Sequence, residues 1–327
     1  MSPPVRVVVC RELGSLDKVV VEERPVPVPG PGHALVEVRA AGANYVDGLI
    51  CQGRYQIKPA TPYVPGGEIA GVVSAVGEGV TRVAVGDRVM AMTGFGAFAD
   101  QVVVRAEALD AIPASLSFGQ AAAFIQSYST AWFALTRRAQ LGEGEWLLVL
   151  GAGGGIGLAA VDVGVALGAR VVAAASSDAK LEAARAMGAE TVVAYEREDL
   201  KTTVRHVTGG GADVVVDPVG GRHSEPALRA TRTFGRFCVV GFASGPIASV
   251  PLNQVLLHNR SVVGVDWGAW AMGHPAANRA LLDELIEMIG TGRIHPVEPV
   301  ERPLGDAAAV MAGLLDRSVA GKVVLVP

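Results

Sequence analysis

A glycine-rich segment in the middle of the chain has the residue types that bind a dinucleotide pyrophosphate. It reads Gly151-Ala-Gly-Gly-Gly-Ile-Gly157, and it follows the apolar run 147–150 and precedes an apolar, alanine-rich run from Leu158. A strand–turn–helix of this kind presents unpaired N–H groups and the positive end of a helix dipole to phosphates, and glycines allow the backbone to approach them. The spacing is GxxGxxG rather than GxGxxG, but a strand-like run, 170–174, follows where a βαβ unit needs one. The segment therefore predicts a dinucleotide site.

The residues after the second predicted strand indicate which nucleotide binds. An acidic residue at that strand end normally takes the ribose 2′-hydroxyl of NAD, whereas a 2′-phosphate needs a cation and no carboxylate. Here Ser176 and Ser177 follow the strand, Lys180 comes shortly after, and Arg197 follows the third strand. Asp178 argues against a 2′-phosphate, although at a helix start we interpret it as an N-terminal cap. The pattern favours NADPH over NADH.

The glycine segment belongs to the second of two predicted structural regions. Residues 1–125 are rich in valine, glycine and proline, with short alternating runs between turn signals, which is typical of a barrel-like β domain. From residue 126 strands alternate with helices, which predicts a doubly wound parallel sheet. The predicted strands are 146–150, 170–174, 191–194, 213–217, 236–241 and 261–266, and the predicted helices are 156–168, 178–187 and 222–232.

The tail of the chain is assigned to the first region. From about residue 268 it contains two predicted helices, 278–291 and 305–316, and a last strand, 322–326, which is expected to return to the β domain. The predicted domains are therefore 1–125 with 268–327, and 126–267.

Composition limits the classes of function. The chain has 327 residues, of which 18% are charged, and its net charge of −4 comes without a basic cluster, so nothing indicates a nucleic-acid partner. Its three cysteines are scattered and form neither a disulfide framework nor a metal-binding motif. No run approaches the roughly 20 apolar residues of a membrane helix. We expect a soluble cytoplasmic protein that does not enter a membrane.

Several motifs resemble those of the medium-chain dehydrogenase/reductase superfamily, in particular its zinc-free quinone oxidoreductase (zeta-crystallin-like) branch. They are Ala41–Asp47, Tyr63–Val73, Val76–Val80, Val85–Val89, Asp217–Gly221 and Ala320–Leu325. The resemblance covers essentially the whole chain. It implies an α/β protein with a GroES-like β-barrel catalytic domain and a Rossmann domain that binds NADPH.

The sequence also lacks the ligands of a catalytic zinc. Such a zinc needs about three Cys, His or carboxylate ligands. The zinc alcohol dehydrogenases of this superfamily have a cysteine near the position of Asn44 and a histidine in a Gly-His-Glu motif, and this chain has Ala43 and Gly67-Glu68 there. The cysteines of a structural zinc lobe are missing as well, since residues 89–115 contain none. We therefore predict that the protein binds no metal.

Reduction without a Lewis acid suits some acceptors better than others. A simple carbonyl loses several kcal/mol of charge stabilisation without a metal. A quinone or an activated alkene can bear the charge itself, so the protein mainly positions the nicotinamide and excludes water. The leading hypothesis is reduction of small quinones, and the alternative is reduction of enones or 2-enoyl thioesters. A minor alternative, from another class, is a nucleotide-binding structural or RNA-binding protein.

The resemblance also carries over site residues one by one. Those expected at the cofactor are Asn44 and Thr130 near the nicotinamide, Gly154, Gly155, Ile156 and Gly157 at the pyrophosphate, Ser177, Lys180 and Tyr195 at the adenosine phosphate, Gly241 and Phe242 on the nicotinamide side, and Lys322 in the tail. Alternative interpretations are a helix-capping role for Asn44 and a strand-edge position for Lys322.

Departures from the family pattern at two positions bear on catalysis. Leu49 and Cys51 stand where bacterial members often have a tyrosine and an arginine. Together with Asn44, the catalytic candidates are then Tyr55 and Tyr128, for which the alternative interpretation is a tyrosine packed in a core. The apolar strand 261–266 is predicted at a sheet edge, and an uncovered edge of this kind promotes pairing. We therefore expect a homodimer formed through this strand.

Overall fold

The computed structural model describes residues 3–327, which form two compact units. Unit 1 comprises the residues up to Gln126 together with Val297–Pro327, and unit 2 comprises Ser127–Pro296. The strands are β1 (Val5–Cys10), β2 (Val19–Arg24), β3 (His33–Ala43), β4 (Glu68–Val76), β5 (Arg88–Met92), β6 (Gln101–Arg105), β7 (Asp110–Ala111), β8 (Trp146–Leu150), β9 (Arg170–Ala175), β10 (Thr191–Ala194), β11 (Ala212–Asp217), β12 (Thr231–Val239), β13 (Ser261–Gly264), β14 (Val300–Pro303) and β15 (Val323–Val326).

Most of the helices lie in unit 2. The α-helices are α1 (Tyr45–Cys51), α2 (Phe118–Ala122), α3 (Ile125–Trp132), α4 (Gly155–Ala166), α5 (Asp178–Ala186), α6 (Leu200–Val207), α7 (Ser224–Ala230), α8 (Asn253–Leu256), α9 (Trp267–Gly273), α10 (Pro275–Gly290) and α11 (Ala307–Leu315). Among residues 3–327, no helix is both long enough and apolar enough to cross a bilayer.

Unit 2 contains a six-stranded parallel sheet. Its strand order is β10-β9-β8-β11-β12-β13, which is the 3-2-1-4-5-6 order of a doubly wound fold. All five residues of β8 are buried, as expected for a central strand covered on both faces. The six predicted strands are confirmed, with β12 starting earlier, at Thr231, and β13 ending earlier, at Gly264. Helix α6 was not predicted.

Unit 1 is built around a mainly antiparallel sheet of seven strands. The order is β14-β15-β3-β4-β5-β7, and β6 also pairs with β3. The eleven-residue strand β3 has two register shifts against β4, which let one long strand pair with β4, β6 and β15. Strand β15 pairs antiparallel with β3, so the predicted return of the last strand to the β domain is confirmed.

The second boundary between the units differs from the expected one at 267/268. Helices α9 and α10 belong to unit 2, and the chain joins unit 1 only from Val297. The reason is packing: Leu281 and Leu285 of α10 are fully buried, and Glu284 accepts a 2.7 Å hydrogen bond from Trp132 Nε1. The backbone N–H of His295 also donates to Asp162 on α4, at 2.7 Å.

Candidate functional site

The glycine loop of unit 2 joins β8 to α4 at the centre of the parallel sheet. Gly151 turns the chain with φ of +59°, and Gly154, which has no side chain to cap the helix, stands at the N-cap of α4. A Cβ at Gly157 would lie 2.2 Å from the carbonyl oxygen of Gly151, so only glycine lets the first turn of the helix approach the loop this closely. The loop therefore leaves backbone N–H groups available to an anion at a helix N-terminus.

Two further loops lie at the same edge of the sheet, after β11 and β12. Asp217, which is 2% exposed, ends β11 and accepts 2.8 Å hydrogen bonds from the N–H groups of Val219 and Gly220, and a 2.6 Å bond from Ser224 Oγ. The loop after β12, which holds Gly241 and Phe242, donates backbone hydrogen bonds to Asp217, Pro218 and Val219. The carboxyl ends of neighbouring parallel strands are where ligands bind in this fold. The structure thus places the predicted Gly241 and Phe242 at that edge.

The residues predicted for the adenosine end surround the start of α5. Ser177 is the N-cap residue of this helix, so the expectation that Asp178 is the cap is wrong. Asp178 instead pairs with both terminal nitrogens of Arg197, at 3.1 and 2.5 Å, and this guanidinium lowers the pKa of the Asp178 carboxyl. Lys180 packs so closely against the glycine loop that a Cβ at Gly153 would meet its Cβ at 2.3 Å.

Tyr195, the other residue predicted here, lies in the segment after β10. Its ring is 4.2 Å from the ring of His223, between centroids. Ser177 and Lys180 thus follow the carboxyl end of β9, and Tyr195 follows that of β10; their contact with the adenosine phosphate stays a prediction.

A buried polar cluster of unit 1 joins three distant parts of the sequence. Asn44, Glu68 and Lys322, at 8%, 0% and 5% exposure, are brought together by strand register, because Val323 pairs with Ala43 and Gly42 pairs with Glu68. Lys322 Nζ donates to Asn44 Oδ1 at 2.5 Å and to Glu68 Oε1 at 2.8 Å. Asn44 Nδ2 donates to Glu68 Oε1 at 2.9 Å, and the backbone N–H of Gln126 donates to Glu68 Oε2 at 3.0 Å.

The charges of this cluster define the orientation of the Asn44 amide. A carboxylate can only accept hydrogen bonds, and an ammonium can only donate them. Nδ2 must therefore face Glu68 and Oδ1 must face Lys322, since the flipped amide would oppose like groups on both sides. The capping interpretation of Asn44 is confirmed, because Asn44 is the N-cap residue of α1, but neither it nor the strand-edge interpretation of Lys322 anticipates the buried contact between the two side chains.

Asp47 lies beside the cluster at the start of α1. Its carboxylate accepts a 2.8 Å hydrogen bond from the backbone N–H of Asn44. Burial raises the pKa of this carboxyl to about 7, against the opposing effects of the Asn44 N–H and Lys322, while the charge of Glu68 raises it further. Asp47 was not singled out from the sequence, although its place three residues after Asn44 is the spacing of a capping box.

The tyrosine candidates lie elsewhere. Tyr128 is 3% exposed in unit 2, and its hydroxyl donates to Asp162 Oδ2 at 2.7 Å; burial and this contact together raise its pKa well above the ordinary value. This contact is what the packed-core alternative for Tyr128 predicts. Tyr55 is partly exposed in the segment after α1 of unit 1, and Thr130 is buried on α3 in unit 2.

At the positions that hold zinc ligands in the zinc alcohol dehydrogenases, this chain keeps one potential metal ligand, Glu68. The Lys322 ammonium forms an ion pair with it. Throughout the described part of the chain, residues 3–327, no three His, Cys, Asp or Glu side chains converge as metal ligands. The cluster therefore does not fit a tetrahedral zinc, which needs about three such ligands.

Comparison with known proteins identifies both units. Residues 30–114 match the family model "Alcohol dehydrogenase GroES-like domain", and residues 155–287 match "Zinc-binding dehydrogenase". The chain is 40% identical to quinone oxidoreductase-like protein 2 of Bos taurus over 323 residues, covering 98% of this chain and 92% of that protein.

Two solved structures illustrate the range of activities that share this fold. Escherichia coli quinone oxidoreductase, complexed with NADPH, superposes with a TM-score of 0.86 at 29% identity, covering 98% of this chain and all of that one. The CurK enoyl reductase superposes with a TM-score of 0.87 at 26% identity, covering 99% of both chains.

Proposed function

Because the chain belongs to the medium-chain dehydrogenase/reductase superfamily, with quinone oxidoreductase-like relatives, we propose that this oxidoreductase reduces small quinones with NADPH and without zinc. The observation that carries the proposal is the contact of Lys322 with Glu68. The Lys322 ammonium balances the charge of the Glu68 carboxylate. This carboxylate therefore needs no metal ion as its counter-charge.

The nucleotide half of the proposal rests on the geometry of unit 2. The loop Gly151–Gly157 would hold the pyrophosphate, because its glycines let α4 begin close against the loop with backbone N–H groups at the helix N-terminus. Ser176 and Ser177 follow β9 without a carboxylate at the strand end, and Lys180 and Arg197 lie close by, which favours a 2′-phosphate. NADPH, when bound, supplies the hydride. The residues of unit 2 would bind and orient it. Gly155, Ile156 and Gly157 would donate backbone N–H groups, whereas Gly154, whose N–H already donates to the Gly151 oxygen at 3.0 Å, would shape the loop.

The remaining polar groups suit an acceptor that needs little help from the protein. In unit 1, the Lys322 charge is balanced by Glu68, so this cluster would stabilise negative charge on an acceptor oxygen less than a metal ion does. A quinone, whose ring and carbonyl groups share the incoming charge, is compatible with such a site. Asn44 would contact the nicotinamide ring, and its fixed amide would orient that ring.

The test measures oxidation of NADPH through the absorbance of its nicotinamide. Phenanthrenequinone and benzoquinone are the acceptors, and NADH and a chelator are the controls. We expect quinone turnover that is faster with NADPH and unaffected by the chelator. Loss of turnover on chelation would refute zinc independence. Tight NADPH binding without turnover of quinones or of alkenes would favour the nucleotide-binding structural or RNA-binding alternative.

A second candidate, enone or 2-enoyl-thioester reduction, is favoured by the similarity to an enoyl reductase over nearly the whole chain. An enone is activated like a quinone, since its carbonyl takes up the charge that hydride addition creates. Crotonyl-CoA and a simple enone, assayed beside the quinones, separate the two functions. Turnover of the alkenes alone would replace the quinone proposal.

We also propose a homodimer formed through β13. This strand ends the sheet of unit 2, and Val262 on it is 45% exposed, so both its backbone edge and its apolar side chains are open to pairing. Sizing chromatography with light scattering at micromolar concentration should give a mass of two chains, and a monomer would refute the proposal.

The three cysteines of the chain are buried and form no disulfide, which suits the reducing cytoplasm that we propose as its location.

A further inference from the structure

We propose that Lys322 is a positioning residue for hydride transfer, which acts by fixing the side-chain amide of Asn44. The inference rests on the proposed function, because it concerns the cofactor contact proposed for Asn44. The expectation that Lys322 itself also binds the cofactor stays a prediction. Its ammonium is buried and donates to both Asn44 and Glu68, so two of its three N–H groups are committed within unit 1.

The arrangement makes Lys322 necessary for the amide orientation. Glu68 alone holds one end of the amide, through Nδ2, and its other oxygen is occupied by the N–H of Gln126. Lys322 holds the opposite end, through Oδ1. With the ammonium removed, Oδ1 has lost its donor and the buried Glu68 charge has lost its counter-charge, so the side chains must rearrange. The remaining N–H of Nδ2 and the second lone pair of Oδ1 would then point in new directions.

The lysine also supplies the counter-charge of a buried carboxylate. Glu68 is completely buried, and a buried carboxylate requires a partner of opposite charge. The covalently attached ammonium provides this partner in every molecule, independent of metal supply. The same contact that satisfies Glu68 orients Asn44, so charge balance and positioning are two effects of one side chain.

A double-mutant cycle tests whether Lys322 acts through Asn44. The variants are Lys322→Met, Asn44→Ala and the double variant, and the readout is kcat with a quinone at saturating NADPH. We expect Lys322→Met to lower kcat on the order of 100-fold in the natural chain, the loss typical of a misplaced group. In the Asn44→Ala background the same change should alter kcat by about two-fold or less, because the two residues act as one unit. Independent losses that multiply would overturn the proposal.

A charge-rescue variant separates positioning from a purely structural role, and it remains informative if Lys322→Met is poorly folded. Lys322→Met combined with Glu68→Gln removes both buried charges, so the melting temperature should recover toward that of the natural chain. The amide oxygen of the introduced glutamine would accept the N–H of Gln126, and its NH2 group would face Asn44 and turn the amide around. We therefore expect kcat to stay low. Recovery of kcat along with the melting temperature would show that Lys322 is only a counter-charge.

Nucleotide binding gives a readout that does not depend on turnover. Titrations would use NADPH, which carries the nicotinamide, and 2′,5′-ADP, which lacks it. We expect the Lys322→Met and Glu68→Gln double variant to bind NADPH several-fold more weakly and 2′,5′-ADP as tightly as the natural chain does. If the double variant bound both ligands more weakly by the same factor, the positioning role of Lys322 would be refuted but the proposed function would not. Failure of the natural chain to bind NADPH would overturn the proposed function, and the Lys322 role with it.

Discussion

Replacement of Asp47 by asparagine should stabilise the protein at alkaline pH and leave its stability at acid pH nearly unchanged. Asp47 is 5% exposed, and its carboxyl pKa is raised from 3.8 to about 7, chiefly by burial. In the unfolded chain the same carboxyl ionises near its ordinary value. The introduced asparagine would keep an oxygen to accept the N–H of Asn44, and it would have no charge to bury.

The sign and the size of the effect follow from proton linkage. Between about pH 4 and pH 7 the folded state keeps the Asp47 proton that the unfolded state has already released, so stability falls as the pH rises and levels off above pH 7. Moving the pKa from 3.8 to about 7 corresponds to about 4 kcal/mol at pH 8.5. Asp47→Asn should therefore unfold at a higher denaturant concentration than the natural chain at pH 8.5, and at nearly the same one at pH 4.

The assay is chemical denaturation of both proteins across that pH range, followed by far-UV circular dichroism and tryptophan fluorescence. Asp199→Asn is the matched control. Asp199 also accepts a helix N-terminal N–H, from Thr202 at 2.7 Å, but it is exposed and its pKa is lowered by this contact with Thr202. Its effect should be constant above pH 5. A stability difference between Asp47→Asn and the natural chain that does not change with pH would refute the reasoning, since it would mean that Asp47 is ionised at all these pH values.

Three other changes test separate parts of the two units. Gly157→Ala should weaken NADPH binding strongly in a fluorescence titration, because its Cβ would lie 2.2 Å from the Gly151 oxygen. The control Gly305→Ala, at a position with open space around it, should leave NADPH binding unchanged. Tyr128→Phe should cost about 1–3 kcal/mol of stability in denaturation, since buried Asp162 loses a donor, and a loss of kcat without a loss of stability would return Tyr128 to the catalytic candidates. Asp178→Asn should tighten NADPH binding a few-fold relative to NADH, because it frees Arg197 from its ion pair; equal effects on both nucleotides would exclude Arg197 from 2′-phosphate binding.

The fold of unit 2 was predictable because local pattern and tertiary environment agree there. Its strands are short apolar runs that become buried on both faces, and its helices start at the turns between them. The missed helix α6 shows the limit of this agreement: its threonines and valines have low helix propensity, and Asp199 at the N-cap with Leu200 and Val204 on one face was the available signal. The boundary was misplaced because the apolar period of α10 predicts a buried face but does not specify which core it covers.

The residues of the site were easier to predict than their contacts. Motifs singled out Asn44 and Lys322 as candidate site residues, and Glu68 only as the ligand left at a zinc position. Their meeting depends on the register of β15 against β3 and of β3 against β4, and a shift of one residue in β15 would turn Lys322, which directly precedes it, away from Asn44. Long-range register of this kind is set by packing and turn geometry over hundreds of residues, and no local pattern reports it. The prediction that Asp178 caps α5 was wrong for a related reason: its partner, Arg197, lies beyond the next strand.

The ion pair in unit 1 also limits the chemistry that this chain can perform. A metal ion with an open coordination position keeps most of its charge available to a substrate oxygen, which is why it activates simple ketones and alcohols. The Lys322 ammonium is already shared between a carboxylate and an amide oxygen, so little of its charge remains for an acceptor. An acceptor that disperses the charge over its own conjugated system does not need that help. The contact that would make Lys322 a positioning group would therefore leave it a weak electrostatic catalyst, so simple ketones should be much slower acceptors than quinones or enones.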